Sequence, residues 1–359
     1  MKTIRDLDIR NKRVLIRCDF NLPVVDGKIG SDFRIRQTLP TLKYAKEQGA
    51  HLVLMSHLGD DGDLAPVWEI VKRYIGAEDV VFLDNLRLDK REEENSDEFA
   101  KELASKGDVY INDAFGVCHR EHASVSAITK FLPSAAGFLL EKEVEVLSKV
   151  LDNPARPLVA VIGGVKVSSK SKVINKFLQI ADHLLIGGKL ANTLLAAKGI
   201  VADGFDKDEL KEAEKIDYVS SKIHLPVDVA ATSGEADIRN TAPGKVKGKE
   251  LILDIGQETI SIFSEIIKEA GTIVWAGPLG FFERKPFDKG TREVAESICN
   301  NLNALKVAGG GDTVSAVEAF HMEEKFNHLS TGGGAMLAFL GGEELPGLKA
   351  LNYYAESRN

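Results

Sequence analysis

Apolar residues in this chain gather in short unbroken runs instead of alternating with polar ones. The runs are RVLIRCDFN (13–21), HLVLMSHLG (51–59), VVFLDNLR (80–87), DVYINDAFG (108–116), PLVAVIGG (157–164), HLLIGGK (183–189), LILDIG (251–256), TIVWAGPLG (272–280), LKVAGGGD (305–312) and NHLSTGGGA (327–335). Each stops abruptly in polar residues or glycine, and stretches with helical spacing lie between them. Continuous apolarity predicts strands covered on both faces. Strands alternating with helices predict a parallel, doubly wound α/β sheet. Ligands bind such sheets beyond the carboxyl ends of the strands, which is where this chain concentrates its polar and glycine residues.

The two halves of the chain end their strands differently. Up to residue 124 the ends are cationic: Arg17, His57, Arg87, His119, Arg120 and His122, with Arg34 and Arg36 in the segment DFRIR. From residue 157 onward they are glycine pairs and triplets. Between them Leu140, Val144, Leu147 and Leu151 recur on one helical face, and the Asn153-Pro154 and Arg156-Pro157 steps stop that helix. The change of composition predicts an interdomain helix with a boundary near 152–157. The architecture expected is therefore α/β, with two doubly wound parallel-sheet (Rossmann-like) domains joined by a helix and a cleft between them.

Composition narrows the function. With 359 residues, 44% of them hydrophobic and 28% charged, the chain has enough material for two cores. A formal charge of −8 argues against a general nucleic-acid binder, which needs a basic excess. The N-terminal segment is charged throughout and lacks the apolar core of a signal peptide, and no apolar segment approaches the ~20 residues of a membrane span. Cys18, Cys118 and Cys299 are too few and too scattered for a disulfide framework. The expectation is a cytoplasmic protein with neither nucleic acid nor membrane as partner.

Against that acidic background the loop INDAFGVCHREHAS (111–124) stands out, because it gathers Cys118, His119, Arg120 and His122 within five positions. A zinc site would need a fourth ligand from a second cluster, and none exists in the sequence. A Cys118–His119 nucleophile pair is weaker still, since adjacent residues of an extended segment point opposite ways. Several strand ends bring arginine and histidine toward one surface, and guanidinium is the preferred partner of phosphate and carboxylate. An anionic small-molecule site is the reading that fits.

The second half carries GGVKVSSK (163–170), GGK (187–189), GPLG (277–280), GGGDT (309–313) and TGGGA (331–335). One glycine pair is ordinarily a tight turn. Five such stretches at strand ends suggest close backbone approach to phosphate, assisted by N–H groups at helix starts. Neither GxxxxGK[ST] nor GxGxxG is present, which excludes a P-loop and leaves the usual dinucleotide fold unsupported. Asp312 suits Mg²⁺, which in phosphoryl-transfer sites takes one or two carboxylates plus phosphate oxygens; it also suits a helix N-cap. A cationic pocket opposite a lysine-bearing, glycine-lined nucleotide site points to phosphoryl transfer.

The residues together resemble the phosphoglycerate kinase family over nearly the whole length. The matching stretches, in order, are RCDFNLP (17–23), DFRI (32–35), SHLG (56–59), DNLR (84–87), NDAFGVCHREHAS (112–124), GGVKVSSK, GGKLANT, LPVD (225–228), WAGPLGFFE (275–283), GGGDT and STGGGA. The resemblance implies reversible phosphoryl transfer between 1,3-bisphosphoglycerate and ADP, giving 3-phosphoglycerate and MgATP. It implies an acid-substrate domain over 1–152, a nucleotide domain over 153–345 and a tail, 346–359, returning toward the first, in a monomer. It assigns the acid substrate to Asp19, Asn21, Arg34, His57, Arg87, His119, Arg120 and His122. It places ATP or ADP on Lys170, Gly187, Gly188, Gly280, Glu283, Gly310, Gly311, Asp312 and Thr313, with Glu283 on the ribose and Asp312 on Mg²⁺. Arg34, Lys166 and Lys170 are then the cations around the moving phosphoryl, and Gly311 and Gly334 the backbone donors.

The chain departs from the family's pattern in places. Asp60-Asp61 follows SHLG where an arginine of the acid-substrate patch is usual, and the segment 60–80 is short. Ala276 replaces an asparagine, Gln257 stands where proline often follows DIG, Lys189 stands where glycine is common, and Val117 and Cys118 replace smaller or hydroxyl residues. Asp60 bears on affinity for the acid, with Arg36 a candidate to fill the gap, and Ala276 bears on placement of the nucleotide. The alternatives are a kinase for another phosphorylated carboxylic acid and a non-catalytic anion-binding protein. The retained Lys166, Lys170 and Asp312 count against the latter.

Overall fold

The computed structural model describes residues 1–22, 24–25, 28–201, 206–234, 237–248 and 250–358. Pro23, the last residue of the RCDFNLP stretch, lies outside them. The chain divides into two compact units, Met1–Val146 with Glu344–Asn359, and Leu147–Glu343.

The first unit carries strands β1 (Arg13–Cys18), β2 (Val24–Val25), β3 (Lys28–Ile29), β4 (His51–Met55), β5 (Val80–Phe82), β6 (Val109–Asp113) and β7 (Ser134–Ala136). Its helices are α1 (Phe33–Glu47), α2 (Ala65–Ile75), α3 (Asp97–Ala104) and the start of α4 (Phe138–Asp152). Apart from the small β2–β3 hairpin, the strands form one parallel sheet in the order β5-β4-β1-β6-β7. The unbroken apolar run of β1 has a direct cause. Val14 and Ile16 enter a core with Ile35, Leu42, Leu54 and Val67, while Leu15 enters another with Val53, Phe99, Leu103 and Tyr110. Successive residues of a strand point to opposite faces, so a strand covered on both sides has no polar face.

The unit boundary falls within α4, between Val146 and Leu147. Leu140, Val144 and Leu147 are buried, as the helical spacing requires. The second unit adds β8 (Leu158–Ile162), β9 (His183–Ile186), β10 (Ile223–His224), β11 (Val229–Thr232), β12 (Ile238–Thr241), β13 (Leu251–Ile255), β14 (Thr272–Ala276), β15 (Leu305–Gly309) and β16 (His328–Ser330). Helices α5 (Ser171–Ile180), α6 (Gly188–Ala197), α7 (Lys207–Ala213), α8 (Gln257–Lys268), α9 (Lys289–Asn300), α10 (Gly311–Ala319) and α11 (Gly333–Leu340) belong to it. Six strands form a parallel sheet, β10-β9-β8-β14-β15-β16, with β8 and β14 buried throughout.

One run departs from expectation. LILDIG forms β13, which pairs antiparallel with β11 in a separate three-stranded sheet, β12-β11-β13. Among the described residues only a strand and a short 3-10 turn, Pro243–Lys245, lie between β11 and β13, and parallel pairing needs a longer crossover, usually an α-helix. The burial follows: Leu251 is exposed, and only Asp254 and Ile255 at the far end are buried. The last helix, α12 (Pro346–Ala350), belongs to the first unit, where Gly347 N–H donates to the carbonyl of Cys118 at 2.9 Å.

Candidate active site

In the first unit the expected anion-binding residues sit at the carboxyl ends of adjacent strands. Asp19 and Asn21 follow β1, His57 follows β4, Arg87 lies beyond β5, and the 118–122 loop follows β6. Arg34 reaches in from the first turn of α1, donating from Nη1 to Asp19 Oδ2 (3.1 Å) and to the carbonyl of Asn21 (3.0 Å). Gly59 N–H donates to Asn21 Oδ1 (2.9 Å), which ties the β1 end to the β4 end. Burial alone would raise the Asp19 carboxyl, but Arg34 and Arg17 outweigh it and hold it below the usual range.

Arg87 has a different environment. Nη1 meets Asp60 Oδ1 at 2.9 Å and Nε faces Glu93 Oε1 at 3.4 Å. Nη2 is buried and, among the described residues, has no hydrogen-bond partner. Asn85 shapes this corner: its Nδ2 donates to the carbonyls of Leu58 (2.9 Å) and Gly62 (3.0 Å), and its Oδ1 accepts from Arg87 N–H (3.1 Å). Arg36 does not fill the gap at position 60, because it is bonded to Asp32 (2.8 Å) on its own helix.

The loop after β6 places its cysteine and its histidines differently. Cys118 is fully buried, its thiol donating to the carbonyl of Ala114 (3.5 Å), and burial pushes its pKa well up. Among the described residues no three His, Cys, Asp or Glu group to hold a metal ion. His122 is buried with Nδ1 3.8 Å from Glu92, and burial, Arg17, Arg87 and His119 push it down to about 4. His119 and Arg120 are half-buried beside it.

In the second unit the glycine stretches divide into two kinds. Gly187 N–H donates to the carbonyl of Ile162 (3.0 Å) and Gly188 N–H to that of Leu279 (2.8 Å). Gly163 and Gly164 likewise donate to Ala276 (3.0 Å) and Pro278 (2.8 Å). These N–H groups are therefore committed within the protein, which leaves packing rather than N–H donation for any ligand at these turns. Their glycines serve close packing of one strand end on the next. Gly277 is the clearest case: its φ is +98°, and a Cβ there would lie 2.5 Å from the carbonyl oxygen of Gly163 and 2.8 Å from Lys170 Nζ. Gly280 packs on Asp254 and accepts no side chain for that reason.

The starts of α10 and α11 are of the other kind. Gly311 and Gly334 are exposed in the first turns, and a Cβ at Gly311 would meet no described atom within 4 Å. First-turn N–H groups have no acceptor within the helix and favour an anion. Asp312 is exposed in the same turn. Thr313 is fully buried, its hydroxyl accepting from Gly277 N–H (2.7 Å), so only its backbone is placed for a ligand. Glu283 and Lys166 are exposed. Lys170 is buried under the glycine turns and donates to the carbonyl of Ala276 (2.9 Å). Burial lowers its ammonium to about 8, against the opposing pull of Asp312.

A sequence model described as phosphoglycerate kinase matches residues 4–78 and 66–343. Among curated relatives, the phosphoglycerate kinase of Dictyoglomus turgidum is 40% identical, covering 97% of this chain and 97% of that one. That of Herpetosiphon aurantiacus is 44% identical, covering 98% and 99%. The chain belongs to the phosphoglycerate kinase family. Solved phosphoglycerate kinases are similar throughout. The structure from Coxiella burnetii has a TM-score of 0.85 at 36% identity, over 98% of this chain and 99% of that one. The structure from Pyrococcus horikoshii has 0.87 at 32%, over 99% and 100%.

Several residues that shape the site escaped the sequence reading. Glu209 of α7 accepts from Val167 N–H (2.5 Å), Ser168 N–H (3.2 Å) and Ser168 Oγ (2.6 Å), and so fixes the loop between Lys166 and Lys170. Ser124 and Glu92 support Arg17 from behind. Glu209 left no signal, since it looks like any surface helix residue. Of this group only Arg17 was marked in the sequence, as a cation at the end of an apolar strand.

Proposed function

We propose that the chain catalyses reversible phosphoryl transfer between 1,3-bisphosphoglycerate and ADP, giving 3-phosphoglycerate and MgATP. What supports this most is membership of the phosphoglycerate kinase family over nearly the whole chain. The hydrogen-bonded set Asp19, Asn21, Arg34 and Gly59, with His57 and Arg87 alongside, agrees with it. In the ATP-consuming direction a carboxylate oxygen of 3-phosphoglycerate attacks the γ-phosphorus. The bond to the β,γ-bridging oxygen breaks, and its electron pair leaves with ADP. No proton changes hands and no protein nucleophile is needed.

Negative charge spreads over the equatorial oxygens of the phosphoryl during transfer. Arg34, Lys166 and Lys170 supply fixed positive charge to it, and the N–H groups of Gly311 and Gly334 add donors. Arg87, His119, Arg120 and His122 hold the distant phosphate and Asp19, Asn21 and His57 orient the acid. Gly187, Gly188, Gly280, Glu283, Gly310 and the first turn of α10 take the nucleotide. Asp312, exposed at that turn, has the hard oxygen donor Mg²⁺ prefers and would hold it together with phosphate oxygens, where the ion supplies positive charge. The reading takes the protein as a cytoplasmic monomer; among the described residues no helix is long and apolar enough to cross a membrane.

A coupled assay of ADP release from MgATP tests the reading, with 3-phosphoglycerate, 2-phosphoglycerate and glycerate as acceptors. Turnover with 3-phosphoglycerate well above the other two is expected. No turnover, or preference for another acid, refutes it.

A further inference from the structure

His57 is buried at the carboxyl end of β4, and what faces it is a guanidinium. Arg17 Nη2 lies 3.2 Å from His57 Nδ1, both residues being almost fully buried. Guanidinium has donors only and does not lose its proton in proteins. The ring nitrogen opposite it must therefore be the acceptor, and a neutral imidazole with an accepting Nδ1 carries its proton on Nε2.

Arg17 cannot turn away, because its other nitrogens are committed. Nε donates to Ser124 Oγ (2.9 Å) and Nη1 to the carbonyl of Cys18 (2.5 Å). The direction of the next bond is fixed as well. Ser124 has one hydroxyl proton, and it goes to Glu92 Oε1 (2.5 Å), leaving its lone pair for Arg17. Glu92 is fully buried, and its Oε2 accepts Ser124 N–H (2.9 Å). A one-way chain of donors thus runs into Glu92 from Arg17 through Ser124, while a second arm of Arg17 donates to His57.

We propose that Arg17 is a positioning residue that locks His57 as the neutral Nε2–H tautomer, so that His57 serves the acid substrate as an uncharged hydrogen-bond donor while arginines supply the charge of this surface. The role as donor rests on the function proposed above; the tautomer does not.

The other charged groups facing His57 agree. Arg34 and Arg87 are cationic neighbours, and Asp19, the one carboxylate among the groups acting on the ring, sits 4.0 Å from Nδ1 and is bonded to Arg34 instead. Protonating Nδ1 would set an N–H against the N–H of Arg17 in a buried site. Burial first, and then Arg17, push His57 down to about 3, with Asp19 opposing. A neutral His57 keeps the geometry of the acid-binding surface constant across the range where a histidine ordinarily titrates.

The test is ¹⁵N NMR of the full chain without ligands, with the His57 signals identified by their loss in His57→Gln. The expected result is a pyridine-type Nδ1 and a protonated Nε2, unchanged from pH 5.5 to 8.5. A His57 that titrates in that window, or that carries its proton on Nδ1, overturns the inference. The Arg17→Met variant should lose the fixed Nε2–H tautomer, its ring moving toward an Nδ1 proton facing Asp19, and Arg17→Lys, which keeps a donor, should restore the acceptor signal. Should Arg17→Met not fold, the wild-type spectrum and Arg17→Lys decide alone. If His57 has the stated tautomer but 3-phosphoglycerate is not turned over, the proposed function fails and the tautomer assignment stands.

Discussion

In the first unit the charges lie on side chains that already hold one another: Arg34 on Asp19, Arg87 on Asp60 and Glu93, Arg17 on Ser124 above Glu92. In the second unit the strand ends are glycines packed backbone on backbone, with Lys170 set beneath them and two helix starts left open. The same sheet architecture thus presents two kinds of candidate anion site. One is damaged by removing a side chain, because an internal carboxylate then loses its partner. The other is damaged by adding one, because a single methyl group collides with backbone. The device beneath each site is nevertheless shared. Asp113, at the end of β6, accepts from Leu139 and Leu140 N–H at the start of α4, and Asp254 accepts from Gly290 N–H at the start of α9. Burial raises both carboxyls to about 7.

The largest effect expected is from the exception in the second unit, its buried lysine. Lys170→Ala should lower kcat by roughly 100-fold or more, since the ammonium neutralises charge that develops in transfer. Retention of half the wild-type kcat would remove Lys170 from the mechanism. Wild-type kcat/KM should fall as pH rises above about 8, where the buried ammonium of the free enzyme loses its proton. A flat profile through pH 9 would mean the charge there is not needed. Gly277→Ala should come next, costing roughly 1–3 kcal/mol of stability from its positive φ, with collision adding to it. Denaturant unfolding measures this, and a change below about 0.5 kcal/mol would show that the turn relaxes freely.

Asp60→Arg probes the side-chain site from the opposite direction, by adding to it. The substitution removes the carboxylate that occupies Arg87 and supplies a cation in its place. KM for 3-phosphoglycerate should fall several-fold at low ionic strength, with kcat within about twofold and the gain shrinking as salt is added. An unchanged or higher KM would place position 60 outside the substrate's reach. The smallest effect concerns Asp113. Its carboxyl is raised in the folded state, so the protonated form contributes stability that is complete below the unfolded value near 3.8 and is lost as pH rises through about 7. Asp113→Asn should flatten that part of the decline between pH 4 and 7 while Asp254 keeps its own share. An identical pH slope in the variant would show that Asp113 is ionised in the folded protein.

Much of this was legible from the order of apolar and polar residues. RVLIRC, HLVLM, LVAVI and TIVWA became central strands because each is flanked by strands and covered on both faces. LILDIG misled because an apolar run reports burial, and pairing direction depends on what connects the strands. The short strands Ser134–Ala136 and Ile223–His224 are sheet-edge pieces whose composition carries little signal. The cations of the first unit were legible as charges at strand ends. Which of them are tied to one another was not, because Arg17–Ser124–Glu92 joins residues up to 107 positions apart. The glycines were legible as close approaches, yet sequence does not distinguish approach to phosphate from approach to Pro278 or Gly163.

The central claim is that the first unit holds the acid through side-chain charge and the second holds the nucleotide and serves transfer. Calorimetric titration of 3-phosphoglycerate and of MgADP into wild type, Arg87→Ala and Lys170→Ala tests it most directly. Arg87→Ala should bind 3-phosphoglycerate roughly tenfold or more weakly, the loss of a charge-assisted contact, with MgADP within about twofold. Lys170→Ala should bind 3-phosphoglycerate within about twofold of wild type although its turnover is low. Unchanged 3-phosphoglycerate affinity in Arg87→Ala, or an equal loss of it in Lys170→Ala, would contradict the division.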